Sequence, residues 1–261
     1  MKKCIMLLFL AIATVFYSFA EEDNFDVYLM IGQSNMAGRG EFVQQDTTEF
    51  IDGVWLLDSI GQPVKAVAPL NKFSTIRKDL KLQGYNPAVK FSELMHGRTG
   101  KKILLVVNAR GGSAIEHWMP GDKHGFQNEA IRRTRQAMKH GQLKGIAWHQ
   151  GETNIEKHTK DYVEKFSTMI GALRDSLGQG NVPVVIGQVG QWGWALAEDI
   201  KAFNDSVVPA IANSVANCRF VSSDDLARRY KNKESDPHFG RKAQIELGRR
   251  YADAMTELAA P

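Results

Sequence analysis

Cysteine is scarce in this chain of 261 residues, which contains only Cys4 and Cys218. Cys4 lies in an N-terminal leader that we expect to be removed, so Cys218 has no partner for an intramolecular disulfide. We expect Cys218 to be a buried and unreactive core residue. Packing alone must therefore hold the mature chain together, and a length of about 240 residues is enough to bury a large core.

Motifs for metals and nucleotides are also absent. The sequence has no HExxH motif, no cysteine cluster and no carboxylate-rich calcium loop, and its glycine-rich turns match neither a P-loop nor a dinucleotide fingerprint. We therefore expect no metal and no cofactor. The charge of the chain is nearly balanced, because 33 basic and 29 acidic residues give a net charge of only +4. Loss of Lys2 and Lys3 with the leader lowers this charge from +4 to +2, which gives no reason to expect a nucleic acid partner.

Long apolar runs are lacking outside residues 1–20. This segment begins with two lysines after Met1, continues through an apolar centre and ends in Ser-Phe-Ala, a pattern typical of a secretory signal peptide cleaved before Glu21. The apolar centre is shorter than the roughly 20 residues that span a bilayer. Cys4 precedes the apolar centre, which argues against a lipoprotein. We expect a secreted or periplasmic protein without stable membrane insertion after cleavage, in which residues 21–261 form a single domain.

Five short apolar runs have the character of buried parallel strands. They occupy residues 27–31, 103–108, 145–149, 184–189 and 219–221. Helical patterns separate them, at residues 88–97 after the Asn86-Pro87 start signal, 126–140, 159–177, 198–217 and 240–258. This alternation predicts an α/β fold with a parallel, doubly wound sheet. Residues 40–84 fit least well: they offer one short strand at 54–58 within an insertion that either faces the substrate or is a surface excursion.

The most informative stretch is VYLMIGQSNMAG, at residues 27–38. An apolar strand leads into a turn that is bracketed by Gly32 and Gly38 and carries Ser34. An α/β hydrolase displays its nucleophile in this way, at the carboxyl edge of the sheet. Alternatively, Ser34 only caps the following helix, since serine is a favoured N-cap. The rest of the chain decides between these interpretations.

Three later segments bear on that choice: NARGGS at 108–113, WHQGETN at 148–154 and SDPHF at 235–239. The first two follow strand-like runs, so their loops should open on the same sheet edge as the serine. Together the four segments resemble the four blocks of the SGNH hydrolases. GQSNMAG with WHQGETN is similar to the branch that contains the carbohydrate esterase family six acetylxylan esterases and the sialate O-acetylesterases. The resemblance covers roughly residues 25–252. It implies a three-layer α/β/α, flavodoxin-like domain with a five-stranded parallel sheet.

The resemblance also implies a serine esterase. A serine hydroxyl needs a base to accept its proton. For Ser34 we expect that base to be His238, which lies in a proline-containing loop directly before a helix, where the resembled family has its catalytic histidine. Most SGNH enzymes have the acid three residues before this histidine, but that position here is Ser235, and the carboxylate is at Asp236. We expect Asp236 to be the acid; the alternatives are Glu234, Asp224, Asp225 or a backbone carbonyl.

Ester hydrolysis passes through a tetrahedral oxyanion, which N–H donors must stabilise. The resemblance assigns this role to the backbone N–H groups of Ser34 and Gly112 and to a side-chain amide of the third block. Gln150 is our first choice for that amide and Asn154 our second. Three further residues, Gln33, Asn35 and Glu152, are expected to support the site. Glu152 should orient loops, because a second carboxylate near the oxyanion would oppose its charge.

Trp192 and Trp194 lie in a predicted loop at the same sheet edge. Tryptophan faces stack on sugar rings, although tryptophan more often packs in a core. From the resemblance we expect a secreted serine esterase that removes O-acetyl groups from carbohydrate, such as acetylated xylan, through an acetyl-Ser34 intermediate. A sialate O-acetylesterase is the alternative within this chemistry, and a carbohydrate-binding protein on an inactive SGNH scaffold is the alternative outside it. A lipase or thioesterase is disfavoured by the lack of an apolar lid. The sequence does not determine the oligomeric state.

Overall fold

A seven-stranded sheet forms the centre of the described part of the chain. The computed structural model describes residues 24–155, 161–230, 233 and 235–259; the predicted signal peptide, residues 1–20, lies outside them. The strands are β1 (Phe25–Gly32), β2 (Val54–Leu57), β3 (Pro63–Lys65), β4 (Ile103–Ala109), β5 (Gly141–His149), β6 (Val184–Gly187) and β7 (Cys218–Val221). Their order is β3-β2-β4-β1-β5-β6-β7. All neighbouring strands are parallel except β2 and β3.

The five predicted strands are present as β1, β4, β5, β6 and β7. Their spatial order is second, first, third, fourth and fifth, which is the flavodoxin-like order and confirms the predicted fold class. The structure corrects the strand count from five to seven. The difference comes from the insertion at 40–84, which adds two strands to one edge: β2, the short strand expected at 54–58, and the antiparallel β3, which was not expected. β3 is only three residues long and partly exposed, so it lacks the continuous apolar run that identified the buried strands.

Helices cover both faces of the sheet. Those of the described residues are α1 (Ser34–Ala37), α2 (Gln44–Thr48), α3 (Pro87–Thr99), α4 (Phe126–Ala137), α5 (Glu152–Ile155), α6 (Tyr162–Leu177), α7 (Ala197–Ala202), α8 (Val208–Ser214) and α9 (Arg241–Ala259). A π-helical turn at Phe203–Val207 joins α7 to α8 and divides the helix predicted at 198–217. Pro209 explains this break, because it has no N–H to donate to the preceding turn. Within the described ranges, no helix is both long and apolar enough to cross a membrane.

Alternating side chains of β1 enter two different cores. Leu29 belongs to a cluster that includes Phe166 of α6, whereas Met30 belongs to a cluster on the other face that includes Tyr251 of α9. All four side chains are fully buried. Burial of a large apolar side chain stabilises a fold by about 1.5–3 kcal/mol. These two cores make β1 the centre of a three-layer α/β/α arrangement.

Two smaller predictions have mixed outcomes. Pro87 is the first residue of α3, as predicted, but the Asn86 side chain makes no capping bond to that helix. Its Nδ2 instead donates to the Met36 carbonyl over 2.9 Å, which ties the start of α3 to α1. Cys218 is half-buried in β7 rather than fully buried. Burial raises the pKa of its thiol to about 12, so the thiol stays protonated at neutral pH.

Candidate active site

The predicted site residues meet at the carboxyl edge of the sheet. Ser34 begins α1 directly after β1, Gly112 follows β4, Glu152 follows β5, and His238 lies just before α9. All four border one open cavity of about 420 Å³. The cavity lies where the strand order reverses between β1 and β5, the position at which open α/β sheets bind ligands.

The turn that carries Ser34 depends on Gly32. This residue has φ of +135°, and a Cβ atom placed on it would lie 2.1 Å from the His149 carbonyl oxygen. The same oxygen accepts a hydrogen bond from the Gln33 N–H over 2.8 Å. Only glycine permits this approach of β1 to β5. The close contact fixes the point at which the chain turns away from the sheet and presents Ser34.

A continuous hydrogen-bonded chain joins Ser34, His238 and Asp236. His238 Nε2 lies 2.9 Å from Ser34 Oγ, and His238 Nδ1 is hydrogen-bonded to Asp236 Oδ1. The same carboxylate oxygen accepts from the His238 backbone N–H over 3.2 Å. Asp236 thus folds back on its own loop, so a spacing of two residues reaches the imidazole. Of the alternative acids, Asp224 is bonded to Gln191 and Asp225 to Arg250, whereas Glu234 lies outside the described residues.

The protonation state of His238 suits a base. Burial lowers the pKa of His238 below its ordinary value, and the positive charge of Arg39 lowers it further, against the opposing effect of Asp236. The imidazole is therefore neutral near pH 7. With Nδ1 protonated towards Asp236, the Nε2 lone pair faces the Ser34 hydroxyl and can accept its proton.

Gln150, our first choice for the side-chain oxyanion donor, does not present its amide to the cavity. Its Nε2 lies 3.0 Å from Gln33 Oε1, 3.0 Å from the Ser113 carbonyl oxygen and 2.7 Å from Asn154 Oδ1. An amide nitrogen has two hydrogens, and these protein acceptors use both. The second choice, Asn154, donates its Nδ2 to Glu116 over 3.0 Å. Both amides therefore bind neighbouring protein groups instead of facing the cavity.

Gln33 offers the free amide instead. Its Oε1 accepts from Gln150 Nε2 and from the Thr153 N–H, which fixes the direction of the amide group. Its Nε2 has no acceptor among the described residues, and the side chain borders the cavity next to Ser34. Sequence reasoning gave Gln33 a supporting role only. We predicted the donor amide in the third motif, WHQGETN. In the structure, Gln150 and Thr153 of that motif instead hold the amide of Gln33, which belongs to the first motif.

Asn35 joins the turn that carries Ser34 to the loop that carries His238. Its Nδ2 donates to Glu152 Oε1 over 2.5 Å and to the Pro237 carbonyl over 3.2 Å, and its Oδ1 accepts from the Phe239 N–H over 3.1 Å. Pro237 and Phe239 flank His238 on both sides. One buried amide thereby fixes the backbone on either side of the imidazole.

Glu152 is a buried carboxylate at the base of the site. Burial raises its pKa, but the nearby His149 ring and the hydrogen bond from Asn35 outweigh this effect, so the pKa lies below its ordinary value. His149 Nε2 lies 3.6 Å from Glu152 Oε1, and His149 Nδ1 is hydrogen-bonded to Tyr251 over 2.7 Å. Glu152 is 4% exposed and is held by its neighbours, a position suited to orienting the loops.

The two candidate tryptophans have different surroundings. Trp194 borders the Ser34 cavity and donates its Nε1 to the Gly190 carbonyl over 2.7 Å. Trp192 borders a second cavity, of about 530 Å³, and donates its Nε1 to the Asp236 carbonyl over 2.7 Å. It also packs edge-on against Phe239 with ring centroids 5.3 Å apart. Trp194 packs in the core and is only 9% exposed, with its exposed part at the Ser34 cavity, whereas Trp192 supports the loop that carries Asp236.

Three residues that border the cavity were not anticipated. Arg39 follows α1, and Lys78 and Leu82 come from the insertion at 40–84. The insertion therefore borders the cavity at these two positions, which favours the interpretation that it faces the substrate. No sequence pattern distinguishes these side chains from those of an ordinary surface loop.

Comparison with known proteins identifies relatives of this chain. The family model described as carbohydrate esterase, sialic acid-specific acetylesterase matches residues 24–257. A probable carbohydrate esterase of Arabidopsis thaliana is 26% identical over 251 residues, covering 87% of this chain and 89% of the relative. The X-ray structure of an Arabidopsis thaliana protein has a TM-score of 0.75 at 22% identity, covering 89% of this chain and 98% of the other. For a carbohydrate acetylesterase from Xanthomonas citri, the TM-score is 0.61 at 19% identity, with 90% and 56% covered. Both structures share the fold of this chain.

Proposed function

The chain belongs to the carbohydrate esterase family of sialic acid-specific acetylesterases, and we propose that it removes O-acetyl groups from carbohydrate through an acetyl-enzyme intermediate on Ser34. The observation that carries the proposal is the hydrogen-bonded chain from Ser34 through His238 to Asp236 at the wall of the cavity. A nucleophile, a neutral base and an orienting carboxylate are the groups that acyl transfer requires.

In the first step, Ser34 Oγ attacks the acetyl carbonyl carbon while His238 Nε2 takes the hydroxyl proton. Asp236 stabilises the resulting imidazolium. The backbone N–H groups of Ser34 and Gly112, together with Gln33 Nε2, donate to the oxyanion. When the tetrahedral intermediate collapses, the bond from the carbonyl carbon to the sugar oxygen breaks. His238 then returns the proton to that oxygen, leaving acetyl-Ser34.

In the second step, water attacks acetyl-Ser34 with His238 as the base. A second tetrahedral intermediate collapses to acetate and free Ser34, and the proton returns from His238 to the serine oxygen. The cavity of about 420 Å³ is of the size of a small-molecule site and can hold a sugar that bears a short acyl group. The exposed part of Trp194 at the cavity can contact that sugar. Acetylated xylan and O-acetylated sialic acid are the two substrate classes we propose to compare.

We also propose that residues 1–20 direct export and that residues 21–261 form the mature esterase domain. The lysine pair, the short apolar centre and the small final residue support this assignment. The enzyme would then meet its substrate outside the cytoplasm, in the periplasm or beyond it.

The test is acetate release by the mature protein and by its Ser34→Ala variant on acetylated xylan and on O-acetylated sialic acid. We expect release from at least one substrate and its loss in Ser34→Ala. Ser214→Ala, which changes a serine at the exposed end of α8, is the matched control and should retain full activity. A folded protein that binds either sugar but releases no acetate would contradict the proposal and favour a binding protein on an inactive scaffold.

A further inference from the structure

A second cavity adjoins the loop that carries Asp236. Its volume of about 530 Å³ is in the range of small-molecule sites. Trp192 borders this second cavity and donates its Nε1 to the Asp236 carbonyl over 2.7 Å. Ser235 and Pro237, on either side of Asp236, border the Ser34 cavity instead. The two cavities therefore adjoin the same short loop.

The indole of Trp192 is held in place at the second cavity. Its Nε1 is bonded to the Asp236 carbonyl, and Phe239 packs edge-on against the ring with centroids 5.3 Å apart. A Cβ atom placed on Gly190 would lie 2.2 Å from Trp192 Cη2, so the ring also packs directly on the Gly190 backbone. The side chain nevertheless stays partly exposed. Because the ring is already ordered, a ligand that contacts it pays little side-chain entropy.

The polar groups of the second cavity are paired with each other. Gln191 Nε2 donates to Asp224 Oδ1, and Lys201 forms an ion pair with Asp205. Among the described residues that border the cavity, two carboxylates and one ammonium leave one negative charge in excess. An anionic ligand would therefore meet repulsion and a cation that is already paired. A neutral ligand with hydroxyl groups fits better, because carboxylate and amide oxygens have further lone pairs that accept hydrogen bonds.

Apolar surface and hydrogen-bond acceptors together suit a sugar ring. Trp192 and Ile200 supply apolar surface, which can pack against the ring carbons. Asp224 and Gln191 supply oxygen atoms that can accept from the ring hydroxyls. The cavity thus combines aromatic surface with a few polar groups that fix orientation, as ligand sites do.

We propose that the second cavity is a subsite for a neutral sugar unit linked to the acetylated one, so that oligosaccharides are better substrates than single sugars. This inference rests on the proposed function and adds a second unit to its substrate. The neutral unit has two possible sources. It is either a neighbouring xylose of acetylated xylan or a neutral sugar to which an acetylated sialic acid is attached.

The first measurement is kcat/KM for two matched pairs of substrates. One pair is an acetylated xylo-oligosaccharide and acetylated methyl xyloside, and the other is O-acetylated sialyllactose and the methyl glycoside of O-acetylated sialic acid. We expect the longer member of at least one pair to exceed the shorter by about tenfold, the effect of one hydrogen bond to a charged group. The pair that does so identifies the source. The preference should be the same at low and high salt, because the added unit is neutral.

Asp224→Ala tests the subsite away from the hydrogen-bonded chain at Ser34. Asp224 is exposed, and its carboxylate is bonded to Gln191, so its replacement should not affect folding. We expect the ratio of kcat/KM for the longer over the shorter substrate to fall by about tenfold. Asp175→Ala removes an exposed carboxylate of α6 that borders neither cavity, and it should leave the ratio unchanged.

Two variants of Trp192 separate sugar binding from support of the Asp236 loop. Trp192→Phe keeps an aromatic ring but loses the N–H that holds the Asp236 carbonyl, so kcat should fall by a common factor for all substrates while the ratio stays high. Trp192→Ala also loses the ring, and the ratio should fall towards one. A wild-type ratio in Trp192→Ala would show that Trp192 only supports the loop, and would overturn the inference.

Binding tests the inference without turnover. Titration calorimetry with Ser34→Ala should show tighter binding of the longer substrate, and loss of that preference in Ser34→Ala/Asp224→Ala. Equal binding within both pairs, or an equal loss for both members in the double variant, would overturn the inference and leave the Ser34 mechanism intact. Absence of acetate release from all four substrates would contradict the proposed function instead, while the binding preference would still support the subsite.

Discussion

His238 Nε2 lies 2.9 Å from Ser34 Oγ although the two residues are 204 positions apart in the chain. The contact exists because Ser34 leaves the carboxyl end of β1 while His238 reaches the same edge from the segment before α9. Asp236 and Arg39 act on the imidazole from within this site. We therefore expect the rate of ester hydrolysis and its pH dependence to be set by the charges around the His238 ring.

The pH dependence should reflect the lowered pKa of His238. Only the neutral imidazole can accept the Ser34 proton, so kcat/KM should fall as the pH drops through this pKa, which lies below 6.5. Arg39→Gln removes a charge that lowers the pKa and should move the acid limb to higher pH. The measurement is a pH profile with an uncharged aryl acetate, and Lys144→Gln should keep the wild-type midpoint. A midpoint above pH 7 in the wild type would argue against His238 as the base.

Replacement of Asp236 should reduce catalysis without unfolding the protein. Asp236→Asn keeps the size of the side chain but no longer stabilises the imidazolium or the required tautomer, and we expect kcat to fall by about 10³–10⁴-fold. Asp225→Asn is the matched control, because Asp225 pairs with Arg250 on the surface. Steady-state kinetics and a thermal melt of each variant would check this. Similar kcat values in the two variants would exclude Asp236 as the acid.

Asn35→Ala should affect both stability and turnover. The change leaves the buried Glu152 carboxylate and the Phe239 N–H without their partner, and each unsatisfied buried group costs about 1–3 kcal/mol. Loss of the bond to the Pro237 carbonyl also frees the loop that carries His238, so kcat should fall. Denaturant unfolding and kinetics measure the two effects, with Asn128→Ala on the exposed face of α4 as the control. A stability loss with unchanged kcat would show that Asn35 does not position His238.

Gln33→Ala should reduce kcat more than it raises KM. Removal of one oxyanion donor typically costs about 10²–10³ in kcat, because the donor binds the transition state more strongly than the substrate. Gln142→Ala provides the control, because Gln142 lies near the start of β5, away from the cavity at the end of that strand. Kinetics on an aryl acetate would separate the two constants. A variant with wild-type kcat would leave the backbone N–H groups of Ser34 and Gly112 as the donors.

Much of the fold was predictable because its strands are buried on both faces. β1 and β4 contain continuous apolar runs, a pattern typical of a parallel sheet with helices on both sides. The edge strand β3 was missed because its three residues face solvent in part and carry no such pattern. The helix predicted at 198–217 is divided by a π-helical turn before Pro209, because this proline removes one local backbone hydrogen bond.

The site was predictable to the extent that its residues occur in short motifs. Ser34 and His238 lie in motifs that resemble a known family, and the structure brings them together. The motifs do not determine which amide group faces the cavity. Gln150 and Gln33 both carry amides at the sheet edge, and which of them faces the cavity depends on acceptors contributed by Ser113 and Asn154. Arg39 and Lys78 were missed because their proximity arises from loop packing.

The central position of β1 also bears on how the chain folds. β1 pairs with β4 and β5, in registers that join Asp26 to Ile103 and Phe25 to Gly141. The strand that leads to Ser34 is therefore synthesised long before either neighbour exists. Contacts between positions so far apart slow folding and leave an apolar strand exposed to aggregation in the meantime. The feature that places Ser34 at the middle of the sheet edge thus makes folding depend on a late, long-range step of strand pairing.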